Sequence, residues 1–213
     1  MQRRFRYGIE NLMLYVSAGM LAVFLAQYVM QIPILRWIVF SRAALFQGEF
    51  WRLVTFIFIP PSTNPLWLVI GLFFYYYIGS VLEREWGTNK LTFYYLIGII
   101  GNILAGLLTG GATNHYLNLS LFFAFAQLFP ENQIRLYMII PVKVKWVAWV
   151  LWAIFAFDLI RALMMGIRGL PTVAAILVSI LNFLLFFGPD LLNGFRAYRR
   201  RKNYKNNFDS FWR

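Results

Sequence analysis

The stretch GLFFYYYIGSVLEREWGTNKLTFYYLIGIIGN, Gly71–Asn102, decides the fold. It joins two apolar runs, Asn64–Leu82 and Lys90–Leu108, through the charged turn Glu83-Arg84-Glu85-Trp86-Gly87. About 20 mostly apolar residues suffice for a helix to cross the hydrocarbon core, so the stretch reads as a transmembrane helical hairpin. Composition agrees. Of the 213 residues 61% are hydrophobic and 13% charged, whereas a soluble domain carries about one-quarter charge.

Outward from the hairpin lie four more candidate spans, Asn11–Gln31, Tyr116–Phe129, Val144–Met165 and Leu170–Phe187. The expected architecture is an all-α polytopic membrane protein, with six transmembrane helices over residues 1–190 and a basic tail over 191–213. The first run is too long for the core of a signal peptide and no small-residue cleavage site follows it cleanly, so it is expected to stay in the mature chain. The fourth is short. A helix of about 14 residues rises about 21 Å, less than the roughly 30 Å core, so it is expected to begin within the membrane, where irregular backbone must be covered by protein or water. Between the first two spans, Ile32–Thr63 is apolar but cut by Arg36, Arg42, Glu49 and Arg52. It reads as a long outer loop lying in the interface, with Trp37, Trp51, Arg36 and Arg52 as headgroup anchors.

A net charge of +12 raises the question of nucleic acid, and the positions of the charges answer it. With both termini inside, the inner set is Arg3, Arg4, Arg6, Arg84, Lys90, Arg135, Lys143, Lys145 and seven residues of the tail, fifteen of the twenty basic residues. Such a bias over short loops is the positive-inside pattern. It places both termini in the cytoplasm and makes nucleic acid an unneeded partner. The tail run Arg199, Arg200, Arg201 and Lys202 is expected to anchor to anionic lipid headgroups. The brevity of the loops suggests a bacterial inner membrane.

Site chemistry is sparse. The chain has no Cys and a single His, His115, which excludes disulfides and thiolate chemistry and cannot supply the three ligands of a catalytic zinc. No cofactor is expected. In the third span Gly98, Asn102, Gly106 and Gly110 recur every four residues, a stripe suited to close helix packing with Asn102 bonding across the contact. In the fifth, Asp158 and Arg161 share a face, and an ion pair between them is the plainer reading, although an ionisable residue at membrane depth also raises a question of function.

Taken together, Gly48-Glu49-Phe50-Trp51-Arg52-Leu53-Val54-Thr55 with Phe58, Tyr77-Ile78-Gly79 with Glu83 and Trp86-Gly87, Tyr94-Tyr95-Leu96 with Gly98, Leu128-Phe129-Pro130, and Ile140-Pro141-Val142-Lys143-Val144-Lys145-Trp146 resemble, in order and spacing, the rhomboid superfamily of intramembrane serine proteases and their inactive relatives. The likeness covers about residues 45–150 and implies a rhomboid-like bundle. An active member would carry a Gly-x-Ser-Gly serine at the mouth of the short fourth helix, a histidine on the sixth, and a His and an Asn on the second to hold the oxyanion.

This chain departs from that pattern at each position. The serine falls near His115, the sixth-helix histidine near Ile176, and the oxyanion pair near Trp67 and Gly71, while no Gly-x-Ser-Gly exists. A hydroxyl is a poor nucleophile without a base in hydrogen-bond reach. Five residues along a helix turn His115 and Ser120 about 140° apart, so that pair does not form a dyad. The resemblance therefore implies a catalytically inactive relative, similar in logic to the pseudoproteases and derlins. It would bind transmembrane helices of client proteins in quality control, trafficking or scaffolding, embedded in the bilayer. Trp51, Arg52, Asn64, Trp67, Asn114, His115 and Asn182 are the expected client-facing residues. A rhomboid-type protease with a degenerate site, and a small transporter or channel subunit, are the alternatives.

Overall fold

The computed structural model describes residues 8–136 and 140–188. The N-terminal arginines and the lipid-anchoring candidates Arg199, Arg200, Arg201 and Lys202 lie outside the described residues. The first helix, α1 (Leu12–Phe24), is extended by a π-helical turn, Leu25–Val29. It starts beside the central hairpin. The amide of Asn11 donates to both carboxylate oxygens of Glu83 at 3.1 Å, and an anion at a helix start complements its dipole. The Gly8 and Ile9 amides donate to Asn89 Oδ1 at 2.8 Å and Thr92 Oγ1 at 3.0 Å, so residues 8–11 are strapped over the turn of the hairpin.

The interfacial loop folds into three short helices, α2 (Leu35–Ile38), α3 (Arg42–Phe46) and α4 (Arg52–Thr55), the last running into a 3-10 turn, Phe56–Phe58. Phe40, Leu45, Phe56 and Ile57 give it a core of its own. Arg52 is not a headgroup anchor. It is buried, paired with Glu49, and donates to the Val39 carbonyl at 2.7 Å. A buried guanidinium needs such partners, and here they come from the loop itself. Trp51 remains half-exposed and donates its indole N–H to the Trp37 carbonyl at 3.0 Å.

The hairpin is α5 (Pro65–Trp86) and α6 (Thr88–Thr109). Asn64 caps α5, its Oδ1 accepting from the Leu66 amide at 3.0 Å, and Pro65 follows at the first helical position, where its missing N–H costs nothing. Gly87, at φ 79°, makes the turn. α6 stops at Gly110, whose φ of 101° suits a residue without a Cβ, and Arg42 donates to the Leu107 and Leu108 carbonyls at 3.3 and 3.4 Å. Gly110 thus ends the helix and is not part of the packing stripe, since nothing lies near the position a Cβ would take.

After α7 (His115–Leu128) a hairpin of β1 (Gln133–Leu136) and β2 (Ile140–Lys143) precedes α8 (Val144–Met164), a 3-10 turn Gly166–Gly169, and α9 (170–188). The strands pair antiparallel with Gln133 opposite Lys143. Pro141 is tolerated because each strand of a two-stranded ribbon has a free edge. Glu131 accepts from Lys143 at 2.9 Å and from Lys145, and these two ammonium groups hold its carboxyl down at about 2.

Among the described residues five helical segments are long and apolar enough to cross a membrane, Leu12–Val29, α5, α6, α8 and Gly166–Gly188. α7, with 14 residues, is the expected short one. It occupies the centre. Phe122 stacks on Phe74 of α5, Phe123 on Trp152 of α8, and Phe183 of α9 meets Phe123 edge-on. The stripe of α6 explains how the neighbours fit: a Cβ at Gly98 would strike Leu117 and lie 2.9 Å from Asn182 Nδ2, and one at Gly106 would meet Phe40 at 2.6 Å. Asn102 sits buried in the stripe but donates to its own helix, to the Gly98 carbonyl at 2.8 Å, instead of across the contact.

Candidate functional site

Polar groups gather where α7 begins. Asn114, just ahead of the helix, is buried and donates its amide hydrogens to the Ile57 and Ile59 carbonyls, both at 2.9 Å. That stitch fastens the interfacial loop to the start of α7 and satisfies carbonyls that burial would otherwise leave costly. Thr113 Oγ1 accepts from the His115 amide at 3.3 Å, meeting one of the unpaired donors of the first turn. The imidazole is exposed and lies edge-on to Tyr116, with ring centres 5.1 Å apart.

A cavity of about 230 Å³ opens here, between Ile59-Pro60-Pro61 of the loop, Tyr75 of α5, and Thr113, Asn114, His115 and Asn118 at the head of α7. Asn118 is buried, with Oδ1 accepting from Tyr95 of α6 at 3.2 Å. On the other side of α7, Tyr116 donates its hydroxyl to Asp158 of α8 at 3.2 Å. Asp158 is therefore bonded across helices, and the expected Asp158–Arg161 ion pair does not form.

Two of the hydroxyls that a hydrolytic reading would need bond back to their own helices. Ser120 is buried and donates to the Leu117 carbonyl of its own helix at 2.6 Å. Ser179 of α9 is likewise buried and donates to the Ala175 carbonyl at 2.9 Å. A helical serine bonded back to its preceding turn has spent its proton on the backbone. Among the described residues no group of three or more His, Cys, Asp or Glu could hold a metal ion.

Of the seven residues expected to face a client, Trp51, Asn64, Trp67 and His115 are exposed and the other three are buried. His115 and Asn114 share the cavity, and Trp67 and Asn64 stand at the exposed start of α5. Trp51 is exposed on the interfacial loop. Arg52, Asn114 and Asn182 are buried, so none of these three presents a side chain to the surrounding membrane. Asn182 lies away from the mouth, donating to the Tyr94 carbonyl at 3.3 Å. The sequence reading missed Tyr75 and Asn118 as cavity walls. Asn118 was findable, because it stands four residues from Asn114 and so returns to the same side of the helix.

A family model described as eukaryotic integral membrane protein (DUF1751) matches residues 12–189. The chain belongs to this family. The match runs from the first residue of α1 past the end of α9, so the bundle as a whole is the family's unit. The description is eukaryotic and names no rhomboid; the expectation of a bacterial inner membrane is set aside on that ground. Compared with the curated proteins, the chain has no match. An integral membrane protein of this family, embedded in the bilayer through its helices, is the established description.

Proposed function

We propose that this chain is a rhomboid-like membrane protein without protease activity, which binds transmembrane segments of other membrane proteins in their quality control, trafficking or scaffolding. The carrying observation is the mouth of α7. A cavity with amide, hydroxyl and imidazole walls opens there, Ser120 donates its hydroxyl to the Leu117 carbonyl, and Trp67 is exposed at the start of α5. Polar groups at membrane depth are suited to meeting those of an incoming helix. A short central helix and an interfacial loop of three small helices also favour local thinning of the bilayer, which eases the approach of a segment that matches it poorly. In this reading both termini face the cytoplasm, and Arg199–Lys202 hold the tail at anionic headgroups.

The test uses purified protein in lipid vesicles with single-pass model helices. A photoreactive residue replacing Trp67 is expected to crosslink to them, with the yield falling in Asn118→Leu. A serine-directed activity probe is expected to leave the protein unlabelled. Labelling that disappears in Ser120→Ala would overturn the reading in favour of a protease.

A further inference from the structure

Asp158 stands out electrostatically. Among the described residues it is the one acidic group lying within a candidate span more than a turn from either end, and six residues, about 9 Å, separate it from Met164 at the end of α8. A carboxylate at that depth is costly unless it faces a partner group. Its surroundings within the chain fall short of that. Tyr116 supplies a single neutral hydrogen bond to Oδ2, and Arg161, exposed and one turn further along α8, forms no ion pair with it. Among the described residues no cation closes on the carboxylate.

The helix that bears it has room for a neighbour. Only 11% of the most apolar window of α8 is buried, the least of the candidate spans. On either side of half-buried Asp158 the residues Ile154, Phe157 and Ile160 are exposed. Lipid covers such a face without penalty, but lipid tails offer nothing to a carboxylate.

We infer that Asp158, at the seam of α7 and α8 and about 9 Å along α8 from its end at Met164, receives the cationic side chain of a lysine or arginine carried by a partner's transmembrane helix. The inference rests on the proposed function, that this region receives membrane-spanning segments, and adds the chemistry that selects among them. A basic residue at such depth is itself unfavourable in lipid, so each charge offsets the cost of the other, while a wholly apolar helix gains nothing at this position.

The experiment co-reconstitutes the full chain with single-pass polyleucine-based helices carrying Lys, Gln or Leu at the matching depth. A photocrosslinker replaces Phe157, which is 65% exposed. The Lys helix is expected to crosslink about tenfold more than the Leu helix. Asp158→Asn should abolish that preference without lowering the Leu yield, and Asp158→Glu should keep it. A preference that survives in Asp158→Asn, or equal yields from Lys and Leu helices, would overturn this inference and leave the proposed function standing. Absence of any helix crosslink, at Phe157 and at Trp67 alike, would sink both.

Discussion

Helices α7 and α8 follow one another in the chain, joined by the β-hairpin, and both are apolar along their length, yet they occupy opposite environments. Ten of the 14 residues of α7 are buried, while α8 buries only Val144, Phe155 and Ala162 of its 21. In water α8 could not hold such a surface. In a bilayer the lipid tails are as apolar as leucine, so an apolar side chain gains little by choosing protein over lipid. The difference between the helices lies in their polar residues. α7 carries Asn118 and Ser120, buried and bonded, with Asn114 just before it. The lone acid of α8, Asp158, turns to α7 for its hydrogen bond.

That contrast can be broken by substitution, with stability read as the fraction folded on titrating mild detergent micelles with a denaturing detergent. The largest effect is expected at Gly98, where a leucine would drive into Leu117 and Asn182 and force α6, α7 and α9 apart. Gly98→Leu should cost about 3 kcal/mol, the upper part of the usual overpacking range. Phe125→Ala, in the fully buried row of α7, should cost about 2 kcal/mol; this is below the soluble range because in the unfolded state the ring already rests in lipid. Tyr116→Phe removes the tie from α7 to Asp158 and should cost about 1 kcal/mol. Trp149→Ala, on the exposed face of α8, should fall within about 0.5 kcal/mol of zero. A large loss from Trp149→Ala would mean that α8 is covered by a partner and not by lipid.

The smallest effect concerns the link between the two helices. Lys143 and Lys145 hold the Glu131 carboxyl at about 2. Its folded-state value is depressed, so whatever it adds to the hairpin is present above the ordinary carboxylate range and is lost as pH falls toward 2. In Lys143→Met the Glu131 carboxyl, followed by NMR in a selectively labelled sample, should titrate measurably higher.

The membrane class was legible from the runs between charges, and the hairpin from Glu83–Gly87, because hydrophobic length and turn chemistry act locally. The shortness of α7 followed from the residue count between Asn114 and Pro130. Arg52 was misread because an arginine beside a tryptophan looks alike whether it anchors to headgroups or folds back on Glu49 and Val39, and only the path of the loop distinguishes them. Gly110 continued the periodicity of Gly98 and Gly106, and its positive φ is a property of the helix end that spacing does not encode. The β-hairpin carries too few residues, with Pro141 among them, for alternation to declare it.

From the sequence alone came a chain that crosses the bilayer as apolar helices, one of them short, with a single imidazole and no Gly-x-Ser-Gly motif. Burial in lipid depends on composition summed over a span, which any linear reading can sum. Tertiary structure alone decided that α7 stands inside and α8 outside, that Asn114 sews the loop to the core, and that Asp158 meets Tyr116. Those outcomes depend on which polar groups meet across helices, and residues distant in sequence come within hydrogen-bond reach only once the helices have packed.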